Sequence, residues 1–357
     1  MVEIIAEVGV NHCGDEGIAL DLIDVAAGCG ADTVKFQMFS PDVLVSQARP
    51  TDREALRDLM LPASIYPKLI THCAERGVGF LCTPFDVAKA TTLRDLGVLR
   101  YKIASGCITD GPLLRLVAEY VTQDGGQVLL STGMAKPSDI DTALAILAHG
   151  GLGLPLADLQ TPAMWLTLGK LLRSQQATSW LRDHVVLMHC VSEYPTPPEH
   201  ANVRALLHMR DLFRDRCAGF GYSYHGGRHG YEACSLAVAA GADVIEAHIT
   251  FDGGDDHRSP DHDSSLFPND FRLMVQGVRL AAHICGRTLK TPTEAELHLK
   301  DTARKALTAS RQIKKGEPFA PDNVVVCRPK LDGISPMLWW RYVQMTASHD
   351  YEPGDLL

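Results

Sequence analysis

Thr33-Val-Lys-Phe-Gln-Met38 is a short β-rich run in which alternation places Lys35 and Gln37 on one strand face. Runs of the same kind recur at 4–10, 33–38, 79–83, 101–105, 127–131, 185–191, 219–223 and 244–249. Stretches with helical periodicity lie between them, at 18–29, 88–96, 113–121, 140–148 and 231–240. Strands alternating with helices make an α/β protein, and a series of eight such units predicts a closed parallel (β/α)8 TIM barrel. Periodicity alone does not separate that barrel from an open doubly wound sheet; the placement of the polar residues does. Glu7, Asn11 and His12, Lys35 and Gln37, Thr83, Lys102 and Ser105, Ser131, Ser192 and Tyr194, Ser223 and His225, and His248 all fall at or just past the C-terminal ends of the runs. That is the face on which barrels build active sites.

The chain of 357 residues exceeds one barrel of about 250 and leaves room for a small second unit. The expected division is a catalytic barrel over 1–287, a linker over 288–302 around Lys290-Thr-Pro-Thr-Glu-Ala295, and a compact unit over 303–357. Residues 150–183 are too long for an ordinary loop. They carry an amphipathic helix at 163–172 and read as an inserted subdomain, either a structural ornament or a lid or interface. With 43 acidic against 34 basic residues and a formal charge of −9, the chain lacks the basic stripe that a nucleic-acid partner requires. No run approaches the roughly 20 apolar residues that cross a bilayer, and Met1-Val-Glu-Ile-Ile5 leads straight into a strand, so no membrane partner and a cytoplasmic location are expected. Ten scattered cysteines without a CxxC pair read as reduced thiols.

Lysines directed into a barrel need anionic company. Lys35 and Lys102 either pair with a barrel carboxylate or meet a ligand; together with hydroxyls from Thr83, Ser105, Ser131 and Ser223 they point to a phosphate-bearing substrate. His225 shares a face with Ser223, and His248 with Glu246 on the next strand. Two imidazoles at matched strand ends are either satisfied core residues or an open site for a divalent ion completed by water and substrate oxygens. The loop 251–263, Phe-Asp-Gly-Gly-Asp-Asp-His-Arg-Ser-Pro-Asp-His-Asp, reads as a metal loop or a solvated acidic turn, and its spacing fits no calcium hand. Cys107, just past Ser105, reads as an unreactive thiol or a site residue.

The motifs Ala6-Glu-Val-Gly-Val-Asn-His12, Val34-Lys-Phe-Gln37, Thr83-Pro-Phe85, Tyr101-Lys-Ile-Ala-Ser-Gly106, Leu130-Ser-Thr-Gly-Met134, His189-Cys-Val-Ser-Glu-Tyr-Pro-Thr-Pro197, Gly221-Tyr-Ser223 and Pro260-Asp-His262 resemble those of the N-acetylneuraminate (sialic acid) synthases and their legionaminate and pseudaminate relatives. The resemblance covers nearly the whole chain apart from 150–183. Ile313-Lys-Lys-Gly-Glu317, Cys327-Arg-Pro329 and Gly333-Ile-Ser-Pro-Met337 are similar to the antifreeze-like SAF domain that follows the barrel in that family. The resemblance implies a metal-dependent condensation of phosphoenolpyruvate with the aldehyde of an open-chain amino sugar, giving a nonulosonic 2-keto acid and phosphate. The ion implied is Mn2+ or Mg2+, held by His225 and His248. Lys35, Thr83, Lys102, Ser105, Ser131, Ser192 and Ser223 match phosphoenolpyruvate-binding positions. Glu7, Gln37, Tyr194 and Asp261 match residues around the sugar and the attacking water. Arg328 matches a tail arginine that reaches the partner's barrel, which implies a domain-swapped homodimer.

Two departures stand out. Cys107 occupies the place of a glutamate that commonly follows Ser-Gly, and Tyr224 that of an aspartate in Ser-Asp-His-Thr; a thiol is not a carboxylate base. Both substitutions are expected on the acceptor and proton-transfer side. The alternatives that follow are the same enolpyruvate chemistry on a non-standard aldehyde or sugar, or a non-catalytic carbohydrate-binding paralogue; a metal-dependent aldolase is a further enzyme class.

Overall fold

A computed structural model describes residues 1–251, 259–286, 288–329 and 333–357. Eight parallel strands close into one barrel: β1 (Glu3–Gly9), β2 (Thr33–Met38), β3 (Gly79–Pro84), β4 (Arg100–Ile103), β5 (Gln127–Ser131), β6 (Val185–Cys190), β7 (Gly219–Tyr224) and β8 (Val244–His248), with β8 pairing back onto β1. The barrel closes where an open sheet would leave two edges, so the TIM-barrel reading holds. The helices expected between strands occur as Glu16–Cys29, Val87–Asp95, Gly111–Asp124, Pro137–Gly151 and Glu232–Ala239. Several start on side-chain caps, since Asp15, Asp86 and Asp110 accept the backbone N–H of Ile18, Lys89 and Leu113.

The barrel interior is tiered. At the N-terminal end, Arg100 donates to both carboxylate oxygens of Glu3 at 2.8 and 2.7 Å, and Thr33 donates to the same group at 2.7 Å. Above them an apolar tier of Ile5, Leu81, Leu129, Val186, Met188 and Val244 fills the middle. Above that come the inward residues of the next register positions, Glu7 beside Lys35 and Ser223 beside Glu246. A second core lies outside the strands, between their outward faces and the helices.

The chain divides into two compact units, Met1–Gly286 and Arg287–Leu357. The stretch 288–302, read from sequence as a linker, is largely not a loop: a helix runs over Glu294–Ala303. Thr293 and Glu296 exchange side-chain-to-backbone hydrogen bonds as a capping box and so start it. The second unit also pairs β9 (Ala306–Ala309) antiparallel with β10 (Val324–Cys327) over a core including Leu307, Ile313, Phe319 and Tyr351.

The 150–183 segment forms helices Met164–Leu171 and Gln175–His184, the second running on to His184. It packs on the outer helices, where the Trp180 indole donates to Thr122 at 2.8 Å. None of its described residues lines the central cavity. All ten cysteines are free thiols, and among the described residues no helix is long and apolar enough to cross a membrane.

Candidate active site

The strand ends enclose a cavity of about 310 Å³. Its walls hold Glu7, Lys35, Gln37, Thr83, Lys102, Ser105, Ser131, Ser192, Tyr194, Ser223, His225, His248 and Asp261. Asn11 and His12, just past β1, are buried but do not line it, and neither does Arg328. Arg328 follows β10 in the second unit and is exposed. Of the loop 251–263, residues 252–258 lie outside the described residues, whereas Asp261 lines the cavity.

At the floor, Glu246 is the hub, and sequence reasoning assigned it no role. It accepts from Lys102 Nζ at 2.8 and 3.0 Å and from Ser223 Oγ at 2.8 Å, and it lies 3.2 Å from Lys35 Nζ. Lys35 also sits 3.3 Å from Glu7, whose other oxygen accepts from Gln37 at 2.8 Å. All four charged side chains are at most 5% exposed. The signal for Glu246 was available, because alternation sets it on the face of His248. The ion-pair alternative for the lysines is thus realised.

Burial alone would raise the pKa of Glu246, yet Lys102 and Lys35 outweigh it and hold the carboxyl well below its usual range. Burial opposes the charge on Lys35, but Glu246 and Glu7 prevail and raise its pKa. For Lys102 burial wins: Glu246 only partly offsets it, the like charge of Lys35 adds to it, and the pKa is lowered.

Hydroxyls converge on the far wall. Ser105 Oγ accepts the Gly133 N–H at 3.1 Å and lies 3.1 Å from Cys190 Sγ. A Cβ on Gly133 would fall 2.3 Å from Ser192 Oγ and 2.7 Å from Ser105 Oγ, so this convergence requires glycine. Gly9, at φ 57°, has a like function on the opposite side, where a Cβ would meet Asp261 Oδ2 at 2.3 Å. The same carboxylate oxygen accepts from Val10 N–H at 3.2 Å.

The two imidazoles lie with ring centroids 5.5 Å apart, and Tyr194 stacks on His225 at 4.3 Å. His225 Nδ1 is 2.7 Å from the Val191 carbonyl, so this nitrogen carries the proton and Nε2 presents a lone pair. Burial, reinforced by His248, pushes His225 down to about 3 and keeps the ring neutral. Ser223 directs its one proton to Glu246, so its oxygen faces the Nε2 lone pair at 3.0 Å, and among the described residues Tyr194 OH, at 3.2 Å, is the donor there. His248 Nδ1 is buried without a hydrogen-bond partner, 3.6 Å from Asp261 Oδ2. Electron-rich nitrogens with an unsatisfied atom and a nearby carboxylate fit a divalent cation. Among the described residues no group of three or more His, Cys, Asp or Glu forms a self-sufficient metal cluster, so two imidazoles would leave the remaining positions to water and substrate oxygen.

The two departures from the family motifs do not face this cavity, contrary to expectation. Tyr224 neighbours Ser223 on β7, and alternation turns it outward, where it is buried and its hydroxyl donates to the His229 carbonyl. Cys107 ends a 3-10 turn, Ser105–Cys107, and lines an adjoining hollow with Asp86 and Asp110. Burial, then those two acids, raises its thiol to about 11, so it stays protonated near neutrality.

Comparison with known proteins agrees with this architecture. The model of the NeuB family matches residues 22–290. The chain is 32% identical to N,N'-diacetyllegionaminic acid synthase of Campylobacter jejuni over 99% of this chain and 98% of that one, and 32% identical to the enzyme of the same name from Legionella pneumophila over 93% and 86%. The solved N-acetylneuraminic acid synthetase of Leptospira borgpetersenii, in complex with citrate, superposes with a TM-score of 0.67 at 29% identity, covering 83% of this chain and 89% of that one. A closed barrel with this cavity, matched by these relatives along nearly its full length, belongs to the NeuB family.

Proposed function

We propose that the protein condenses phosphoenolpyruvate with the aldehyde of an open-chain N-acyl hexosamine, giving a nonulosonic 2-keto acid and phosphate. The observation that carries this reading is the single cavity joining two buried lysines and a set of hydroxyls to two electron-rich imidazoles. The synthase names of the relatives support the same reaction class.

Lys35, Lys102, Thr83, Ser105, Ser131, Ser192 and Ser223 bind the carboxylate and phosphate of phosphoenolpyruvate by charge-assisted and hydroxyl hydrogen bonds. Glu246 and Glu7 keep the lysines placed before the ligand arrives, so little reorganisation is needed on binding. Mn2+ or Mg2+ held by His225 and His248 would supply Lewis-acid polarisation of the aldehyde. The enolpyruvate C3 bonds to the aldehyde carbon, whose oxygen takes a proton to become hydroxyl. Water then adds at C2, and phosphate leaves with C–O cleavage. Glu7 Oε2, 3.3 Å from the Lys35 ammonium, keeps a second lone pair that takes the proton of that water, while Gln37 fixes its other oxygen. Tyr194 and Asp261 border the acceptor beside the imidazoles. Arg328, exposed on the second unit, serves the barrel of a partner subunit in a domain-swapped homodimer, with that unit acting as an SAF domain. The reaction belongs in the cytoplasm.

Phosphate release from phosphoenolpyruvate is the test, run with Mn2+ or Mg2+ and a panel of N-acyl hexosamines and simple aldehydes. Release stoichiometric with product is expected for an N-acyl hexosamine. Binding of phosphoenolpyruvate with no release for any acceptor would falsify the reading and leave a carbohydrate-binding protein.

A further inference from the structure

Asn11, just past β1, is 3% exposed and does not line the cavity, yet every polar atom of its amide is bonded. Nδ2 donates to the Ile249 carbonyl at 2.9 Å and to Ser265 Oγ at 2.8 Å, and Oδ1 accepts from Ser259 Oγ. The reverse orientation would set the amide oxygen against the Ile249 carbonyl, so these partners fix which way the group points. A serine hydroxyl has one proton to give. Ser259 gives its proton to Asn11 and accepts the Asp261 N–H at 3.1 Å. Ser265 gives its own to the Asp261 carbonyl at 2.6 Å and accepts from Asn11.

Asn11, Ser259, Asp261 and Ser265 therefore close a ring in which each donor meets one acceptor. The asparagine and both serines are at most 7% exposed. The ring grips Asp261 by its N–H and by its carbonyl, and so fixes the backbone from which the carboxylate projects. That carboxylate reaches back over the end of β1, where Oδ2 accepts the Val10 N–H at 3.2 Å and lies 3.6 Å from His248 Nδ1. A buried polar network with all its members satisfied holds one arrangement, because a displaced member leaves its partners unpaired away from water. One amide after the first strand thus sets the loop after the eighth.

We propose that Asn11 is a positioning residue of the active site, acting through Ser259 and Ser265 to hold the Asp261 carboxylate beside His248, where it supports that imidazole and a divalent cation bound to it. The proposal rests on the reading of His225 and His248 as a cation site. A carboxylate set behind a metal-binding histidine is worth about 10–100-fold in metal affinity, and that gain requires the carboxylate to be held in place. Among the described residues, the hydrogen bonds of the Asn11, Ser259 and Ser265 side chains do not reach Lys35, Lys102 or the hydroxyls of the cavity. The wall that binds phosphoenolpyruvate is therefore independent of the ring.

The test is calorimetric binding of Mn2+ to the full chain, which needs no turnover, in a double-mutant cycle of Asn11→Ala and Asp261→Ala. Asn11→Ala is expected to weaken Mn2+ by about tenfold or more when Asp261 is present, and by less than about twofold once Asp261 is already alanine. Phosphoenolpyruvate, titrated without metal, stays within about twofold of wild type in Asn11→Ala. Ser265→Ala removes one arm of the ring and is expected to weaken Mn2+ about threefold. It carries the test if thermal unfolding shows that Asn11→Ala does not fold. Unchanged Mn2+ affinity in a folded variant overturns the proposal, and so does failure of the wild type to bind Mn2+. An equal loss in both Asp261 backgrounds, or a parallel loss of Mn2+ and phosphoenolpyruvate, marks a merely structural role and overturns it as well. The expected cycle without phosphate release for any acceptor would instead defeat the condensation reading and leave Asn11 in its role.

Discussion

The two ionic tiers inside the barrel use the same elements to opposite ends. At the bottom, Arg100 grips both oxygens of Glu3 in a planar fork, with the two side chains 31% and 24% exposed. At the top, Lys35 and Lys102 share Glu246, and Lys35 leans on Glu7 as well, all nearly sealed from solvent. A guanidinium fork saturates its carboxylate and has a fixed geometry. An ammonium is a point charge that can turn toward a new anion without leaving the old one. The lower tier holds one geometry, and the upper one holds its lysines in place while leaving them able to meet a further anion.

The largest break should come from Glu246→Gln. Removing the hub leaves two buried ammoniums with Glu7 as their remaining close anion, and loss of one partner of a buried pair costs about 3–5 kcal/mol. Denaturant unfolding should register that loss, together with collapse of phosphate release. Full stability in this variant would mean that the upper tier is as replaceable as a surface pair.

A nearly equal effect is expected from acid at His12, which stacks with Phe36 of β2 and is 1% exposed. Burial, only partly countered by Asp261, pushes its pKa from 6.5 to about 4. Above pH 6.5 neither state binds the proton and nothing is lost. Between 6.5 and about 4 the unfolded chain takes up a proton that the folded ring refuses, so stability falls with pH, by about 3 kcal/mol over the window. The difference in unfolding free energy between wild type and His12→Asn should show that slope, and a flat difference would remove the assignment.

Lys35→Ala sharpens the functional half of the comparison. Calorimetry should show phosphoenolpyruvate binding about 10–100-fold weaker, the worth of a charge-assisted hydrogen bond; unchanged affinity would confine Lys35 to the ion pair. The smallest effect belongs to the lower tier. Arg100→Lys gives up the fork in a partly exposed place, where screening limits the loss to about 1 kcal/mol, and kcat/KM should not move.

Much of this was legible in the sequence because a strand's period is two residues. The same period that set Lys35 with Gln37 and Ser223 with His225 located the cavity wall before any coordinates. It also bears on Tyr224, which must face away if Ser223 faces in, so a place for it on the acceptor side does not follow from the strand. Glu246 was placed on the right face but given no role, because a pattern shows direction and not which charges meet across a closed barrel. Cys107 was harder: it sits in a 3-10 turn, where no simple alternation fixes orientation. The helix Glu294–Ala303 lies in a stretch whose Pro and Thr read as linker, although Thr293 and Glu296 carry the capping-box spacing.

The apolar tier of Ile5, Leu81, Leu129, Val186, Met188 and Val244 has an engineering consequence. It keeps the lower side chains out of contact with the upper ones, so an exchange below it leaves the packing and hydrogen bonds above it in place. The N-terminal end of the barrel is therefore the place to install thermostabilising ion pairs or a fusion partner, because changes there can be made without retuning the chemistry at the mouth.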